Sequence, residues 1–319
     1  MKSNPNLSLH QYLEKQIKEI RAEVGTKKVL LGISGGVDST VVAKILHLAI
    51  KDQLTCLFIN NGLLRLNEEK QVLERFEKYG IEVEYLDASK IFLDNLQGVK
   101  DPEEKRKIIG KIFIDCFKEK AKSLGKEYEY LAQGTIYTDV IESKKGEQLV
   151  KSHHNVGGLP SELGFKLVEP IKELYKDEVR ALGKIMGLDD ELLLRQPFPG
   201  PGLGVRVMGE ITNEKLQMAK ISDAIFREEL KKAKLDQIIW QYFTVVLDTK
   251  STGIFDGKRN YNYVIALRAV ISKDAQTAQA YPIPYEILSK IGERIVLETK
   301  CSRVIYDISS KPPGTIEWE

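Results

Sequence analysis

VLLGISGGVDS, from Val29 to Ser39, is the stretch on which the fold turns. The apolar run Val29-Leu30-Leu31 leads into Ser34-Gly35-Gly36-Val37-Asp38-Ser39, after which Val41, Val42, Ile45, Leu46 and Ala49 recur at helical spacing. A strand, a glycine turn and a helix in that order aim backbone N–H groups and the positive end of a helix at one point, which makes an anion site. Gly35 and Gly36 let the backbone approach the anion closely. Ser34 and Ser39 add hydroxyl donors, and Ser39 or Thr40 is also suited to cap the helix. Asp38 would repel a phosphate unless a cation lay between them, and Mg²⁺ is the natural cation for that place. No Gly-Lys-Ser/Thr follows the glycines, so this is not a Walker A loop, and the dinucleotide pattern Gly-x-Gly-x-x-Gly does not fit either. The competing reading is a glycine-rich strand–helix turn with a capping serine.

The pattern SGGVDS resembles the phosphate loop of the ATP pyrophosphatases, the PP-loop. The resemblance implies cleavage of ATP between the α and β phosphates, with the loop holding pyrophosphate and the adenylyl group passing to an acceptor. The loop does not name that acceptor.

The bulk numbers bound the answer. A length of 319 residues suits one large or two ordinary domains. Hydrophobic residues at 42% and charged residues at 29% describe a globular chain with ample core. A formal charge of +2, from 48 basic and 46 acidic residues, gives no general pull toward nucleic acid. Cys56, Cys116 and Cys301 are widely spaced and show no metal-like pattern, and the first two sit in apolar patterns that suit a core. The chain shows no secretory signal and no apolar run long enough to span a bilayer, so a cytoplasmic location away from membranes is expected.

Outward from the opening stretch, strand and helix patterns alternate. Leu54–Asn60, Val83–Leu86, Tyr130–Thr135 and Leu167–Pro170 read as further strands, with helices over Glu68–Tyr79 and Asp177–Met186. This alternation predicts a doubly wound parallel five-stranded α/β sheet. Asp101-Pro102-Glu103-Glu104 opens another helix, with Asp101 as N-cap and Pro102 at its first position. Asp139 and Glu142, just past a strand end, could hold Mg²⁺ or simply cap a helix. Leu149–Pro160 contains Lys151, His153 and His154 in a polar, glycine-containing loop; adjacent histidines suit a mobile lid better than a metal site. Gln196–Gly204 holds three prolines and three glycines in nine residues, which marks the domain boundary. The expected domains are therefore 1–196 and 197–319. The second reads βαββαβ, with strands at Val205–Val207, Phe243–Leu247, Tyr263–Val270 and Val304–Ile308, which matches a smaller α+β ferredoxin-like domain. One sheet face of such a domain is left open, which predicts a homodimer.

Several stretches agree on one family. SGGVDS, NNGLLR from Asn60, DPEEKRKIIG from Asp101, LAQGTIYTDVIES from Leu131, KSHHNVGGLP from Lys151, PFPGPGLGVR from Pro197 and KPPGTIEWE from Lys311 together resemble GMP synthetase. The resemblance runs from about Gly25 to Glu319 and covers an ATP pyrophosphatase domain followed by a dimerisation domain. It implies a ligase forming C–N bonds: Mg·ATP adenylates the O2 of xanthosine monophosphate (XMP), pyrophosphate leaves, and ammonia then displaces AMP to give GMP. It implies an ATP and Mg²⁺ cradle of Ser34, Gly35, Gly36, Val37, Asp38, Ser39, Thr40 and Gly134, with Asp38 on the metal and Lys151 reaching the phosphates from the lid. It implies XMP contacts at Arg106, Gly200, Pro201, Gly202, Gln241, Lys311 and Glu317. The family has Gly-Asp-Gly-Arg before a tyrosine, with its acid at the XMP site; here the stretch is Phe255-Asp256-Gly257-Lys258-Arg259-Asn260-Tyr261, so the acid moves by one residue and the resemblance implies Asp256 as a further XMP contact. No cysteine lies in the glycine-rich elbow of a glutaminase, which leaves a separate glutamine amidotransferase subunit, free ammonia or a longer parent chain as the ammonia source. The rival enzymes are other PP-loop adenylating enzymes, of the NAD synthetase or tRNA-base thiolase type. A nucleotide-binding regulatory module without catalysis is the rival from another class; it would show damage in SGGVDS or KSHH, and both are intact.

Overall fold

The structure is a computed structural model that describes residues 8–125, 127–145, 164–272 and 275–319. The chain divides into two compact units. One contains 1–60, 69–88 and 110–195; the other contains 61–68, 89–109 and 196–319.

The first unit is built on five parallel strands: β1 (Lys28–Ile33), β2 (Leu54–Asn60), β3 (Val83–Asp87), β4 (Tyr128–Ala132) and β5 (Lys166–Val168). They lie side by side in the order β3-β2-β1-β4-β5. β1 and β2 are apolar nearly throughout because parallel strands covered by helices on both faces have no solvent side. Helix α2 (Val37–Ile50) packs on this sheet, and α1 (Leu9–Val24) packs against α2. Ser8 and Gln11 form a capping box that starts α1. In α2 the side chains of Val41, Val42, Ile45 and Leu46 are fully buried, as their spacing predicts. The chain runs outward from β1 to β2 and β3, then returns to place β4 on the other side of β1. That reversal opens a crevice beyond the carboxyl ends of β1 and β4, where ligands bind in doubly wound sheets.

The second unit is centred on a long hairpin, β6 (Gln241–Phe255) and β7 (Lys258–Ile271), with β9 (Arg303–Asp307) parallel to β7 and the short β8 (Gln279–Ala280) antiparallel to it. The order of elements is βαββαβ, and the domain is α+β as expected, but its strand neighbours differ from the ferredoxin-like arrangement. Val207 bridges Val246 in parallel and β9 pairs directly with β7, so neither βαβ unit has a strand inserted in it. The expected strand Val205–Val207 contributes that single bridge; the residues before it, Gly202–Val205, form a 3-10 turn, which the proline–glycine run favours over extended chain. The Asp256-Gly257 turn of the hairpin has φ of 51° and 69° at its two central residues, the left-handed pair that lets two strands twist onto each other. The segment expected as a boundary is packed in its second half: Gln196 to Gly200 are half-buried or exposed, and Pro201 to Gly204 are buried.

Candidate functional site

The first constellation lies in the first unit, at the carboxyl end of β1. Gly36 is the N-cap residue of α2 and offers no side-chain cap. Ser39 and Thr40 are therefore not caps: they sit in the first turn, and their hydroxyls donate back to the Gly36 carbonyl at 3.3 and 2.7 Å. The N–H groups of Val37, Asp38 and Ser39 occupy positions for which an α-helix supplies no acceptor, so they face the crevice as donors. Ser34 Oγ accepts from the Gly36 N–H at 3.3 Å and lies 3.4 Å from Ser39 Oγ, which sets both hydroxyls at the mouth of the cradle. Gly35 has φ +68°, and a Cβ there would meet Val72 Cγ2 at 2.4 Å, so both backbone conformation and space demand glycine. Gly134, beyond the end of β4, packs so closely that a Cβ would lie 3.3 Å from Asp38 Cβ and 3.4 Å from Ser39 N. The structure thus brings Ser34, Gly35, Gly36, Val37, Asp38, Ser39, Thr40 and Gly134 together. Lys151 lies outside the described residues, as do His153 and His154.

A residue that sequence reasoning missed completes this cradle. Lys176 Nζ donates to both Asp38 carboxylate oxygens, at 2.7 and 2.6 Å. Lys176 is the first residue of the helix Lys176–Ile185, where a cation opposes the helix dipole. That misplaced charge was the available signal. Arg195 Nη1 also donates to the Gly35 carbonyl at 3.2 Å. Asp139, a possible metal ligand by position, instead accepts the Ile136 N–H at 3.1 Å and caps the helix Tyr137–Lys145.

A cation fits here in one form only. Among the described residues no three His, Cys, Asp or Glu side chains gather into a metal cage. One carboxylate beside an array of N–H donors suits an ion that arrives already coordinated by phosphate oxygens, as Mg²⁺ does.

The second constellation lies in the second unit, around the C-terminal arm 309–319. Gln241 Nε2 donates to Glu317 Oε1 at 2.9 Å, so two expected contact residues meet. Arg206 makes a two-pronged bond to the same carboxylate, Nη2 to Oε1 at 2.9 Å and Nε to Oε2 at 3.1 Å. The side chain of Arg206 is fully buried, with its guanidinium 4.2 Å from the Phe243 ring centre and 5.3 Å from that of Phe198. Lys311 Nζ donates to the Ala275 carbonyl at 2.8 Å. Gly202 closes a turn by donating to the Pro199 carbonyl at 2.9 Å; its φ is +63° and a Cβ would meet the Leu63 carbonyl oxygen at 2.4 Å. Pro201 is buried beside it and Gly200 is exposed.

Arg106 lies in the helix Pro102–Leu124, whose start is capped as expected by Asp101 Oδ1 accepting the Glu104 N–H at 2.8 Å. Its guanidinium pairs with Glu103 of the same turn, while the neighbouring Lys105 turns inward, fully buried, onto Glu319. Asp256 is not with the others. It sits at the hairpin tip, at the other end of β6 from Gln241, roughly 45 Å along the strand at about 3.3 Å per residue.

Comparison with known proteins bears on both constellations. The family model described as GMP synthase C terminal domain matches residues 228–318, and the one described as NAD synthase matches residues 9–110. The chain is 56% identical over 317 residues to the glutamine-hydrolyzing GMP synthase of Limosilactobacillus reuteri, covering 98% of this chain and 61% of that protein. It is 54% identical over 321 residues to the protein of the same name in Streptococcus pneumoniae, covering 100% of this chain and 62% of that one. The chain thus spans a little over three-fifths of the length of the curated relatives it matches. Among solved structures, the ammonia-dependent NAD synthetase of Campylobacter jejuni covers 73% of this chain and 86% of its own, at 16% identity and a TM-score of 0.47. With the GMP synthase C-terminal domain matched at 228–318 and more than half of all residues shared with these relatives, the chain is similar to GMP synthases along its whole length.

Proposed function

We propose that this chain makes GMP from XMP at the expense of ATP. The O2 of XMP attacks the α phosphorus of ATP, the bond from that phosphorus to the bridging oxygen breaks, and pyrophosphate leaves. Ammonia then attacks C2, the C2–O bond breaks, and AMP departs with that oxygen while ammonia gives up a proton. The observation that carries this reading is the uncapped first turn of α2 with Asp38 beside it, a ready cradle for the two phosphates that leave together. Ser34, Gly35, Gly36, Val37, Ser39 and Thr40 hold the departing pyrophosphate, and Gly134 keeps the floor of the cradle close. Lys151 is assigned to the same phosphates by resemblance. Mg²⁺ carried in on ATP would offset phosphate charge, with Asp38 as its protein ligand.

XMP is assigned to Gln241, Glu317, Lys311, Arg106 and the Gly200-Pro201-Gly202 turn. Lys311 supplies a positive charge for the 5′-phosphate, and Glu317 accepts from a purine or ribose donor. The domain assignment is 1–196 for ATP, with Arg106 given to XMP, and 197–319 for the remaining XMP contacts and for dimerisation. Ile254 and Tyr261, 75% and 68% exposed on the β6–β7 hairpin, support a homodimer, with the Asp256 tip close to that surface. The names of the relatives do not favour the rival adenylating enzymes.

Ammonia is assigned to a separate glutaminase subunit. All three cysteines are buried, and burial pushes the Cys56 thiol up to about 12, so none is poised as the thiolate that glutamine hydrolysis needs. No described helix is long and apolar enough to cross a membrane, and the reaction is assigned to the cytoplasm with its nucleotide substrates.

The test is acceptor dependence. The protein is mixed with Mg·ATP, ammonium and XMP, and AMP, pyrophosphate and GMP are quantified with and without XMP. Equal amounts of AMP and GMP, formed only with XMP present, are expected. Silence both with free ammonium and with an added glutaminase subunit plus glutamine would overturn the reading.

A further inference from the structure

Glu317 is the carboxylate assigned to the XMP nucleoside, and its surroundings are unusual. A carboxylate offers about four acceptor directions. Arg206 Nη2 and Gln241 Nε2 take those of Oε1, and Arg206 Nε takes one on Oε2. One direction remains, on Oε2. Arg206 is itself locked: it is fully buried, lies against the Phe243 and Phe198 rings, and has Asp223 Oδ1 3.7 Å from its remaining Nη1.

The arm that carries Glu317 does not depend on this pair for its path. Arg268 on β7 donates to the carbonyls of Ser309 and Thr315. Lys311 pairs with Ala278 through both backbone groups. Ile316 is in the core cluster with Phe243 and Val245, the Trp318 indole N–H donates to Asp307 at 2.9 Å, and Glu319 is held by Lys105 and the Gly209 N–H. With the backbone fixed on both sides, what the Arg206 fork adds is the plane and direction of one carboxylate.

We propose that Arg206 is a positioning residue for nucleotide recognition: it fixes Glu317 so that Oε2 presents a single acceptor to one N–H or O–H donor of XMP. The inference rests on the assignment of XMP to this constellation. Lysine cannot reproduce a two-pronged bond, so Arg206→Lys keeps the charge and frees the carboxylate to turn.

The experiment measures steady-state kinetics of Arg206→Lys, Glu317→Gln and the double variant in the full chain, with ammonium as nitrogen source and thermal melting alongside. Arg206→Lys is expected to raise KM for XMP by about 10-fold, the size of one lost charged hydrogen bond, with KM for ATP within about 2-fold of wild type. The double variant is expected to be no worse than Glu317→Gln alone, because Arg206 acts through that carboxylate. Equal losses on XMP and ATP, or losses that multiply in the double variant, would overturn the inference and leave Arg206 a residue of the core. If Arg206→Lys does not fold, Phe198→Leu loosens the guanidinium while leaving its bonds, and a rise of about 3-fold confined to KM for XMP is expected; no such rise would overturn the inference. A wild-type chain that shows no XMP dependence fails the functional reading instead, so the two failures are distinct.

Discussion

Lys176→Met separates a cation that serves the phosphate cradle from one that only props it. Lys176 Nζ reaches both oxygens of Asp38, yet the two side chains keep 38% and 30% exposure. An ion pair that open to water is screened, and its net worth to stability is about 0–1 kcal/mol. For a domain of this size 1 kcal/mol moves the melting midpoint by about 2–4 °C, so the variant is expected to lose no more than that. The effect on nucleotide is larger. Facing a triphosphate, the ammonium makes a charge-assisted hydrogen bond worth about 1.5–3 kcal/mol, which is about 10- to 150-fold in kcat/KM for ATP. The assay follows pyrophosphate release against ATP at saturating Mg²⁺, XMP and ammonium, with melting curves of the same samples. Lys176→Arg retains the charge and is expected to recover part of the loss. A variant that melts many degrees lower yet keeps kcat/KM within threefold of wild type would show that Lys176 is a strut, and the reasoning from its place on Asp38 would be refuted.

Asp38→Asn is expected to raise the Mg²⁺ concentration for half-maximal pyrophosphate release by about 10-fold or more, since an amide replaces the one carboxylate that the described residues place in the cradle; a Mg²⁺ titration reads this. Gly35→Ala combines a left-handed backbone with a Cβ 2.4 Å from Val72 Cγ2, and should cost about 2–4 kcal/mol in urea unfolding, with Val72→Ala restoring the packing share. Glu229 is held down at about 2 by the Lys290 hydrogen bond first, with Lys232 and Arg294 adding to it against the opposing effect of burial. Its folded pKa lies below the ordinary 4.5, so the stability it adds is present above pH 4.5 and is lost as pH falls toward 2. Urea midpoints measured from pH 6 to 2 should therefore fall less steeply in Glu229→Gln than in wild type. The native protein should leave Cys56, Cys116 and Cys301 unmodified by a thiol reagent over minutes at pH 7, and urea should expose all three.

Much of the cradle was legible because its determinants are local. An apolar run, two glycines and a helical stripe lie within about twenty consecutive residues, and backbone geometry alone converts them into a strand, a turn and a helix aimed at an anion. The capping of the helix Pro102–Leu124 by Asp101 was legible for the same reason, whereas the strand expected over Tyr130–Thr135 stops at Ala132 and leaves Gly134 beyond its end. Two local readings still failed. Ser39 and Thr40 looked like caps, but the chain enters the helix one turn earlier, at Gly36, and their hydroxyls fold back onto its carbonyl. Val205 to Val207 looked like a strand, but the preceding proline–glycine run holds a 3-10 turn.

By itself the sequence determined most of the segments that form strands and helices, where backbone donors gather at the end of a strand and which family the chain resembles, because periodicity, turn chemistry and helix polarity act over a few residues. Only the tertiary structure decided the strand order that places β1 at the centre beside β4, and the direct pairing of β9 with β7. It also decided the meeting of Lys176 with Asp38, 138 residues apart, and of Arg206 with Glu317, 111 apart. The first contact follows from the packing of the two helices that carry it, and the second from burial of the Arg206 charge against a carboxylate. Asp256 makes the same point: its place at the left-handed turn of a hairpin is fixed by the pairing of the strands on either side.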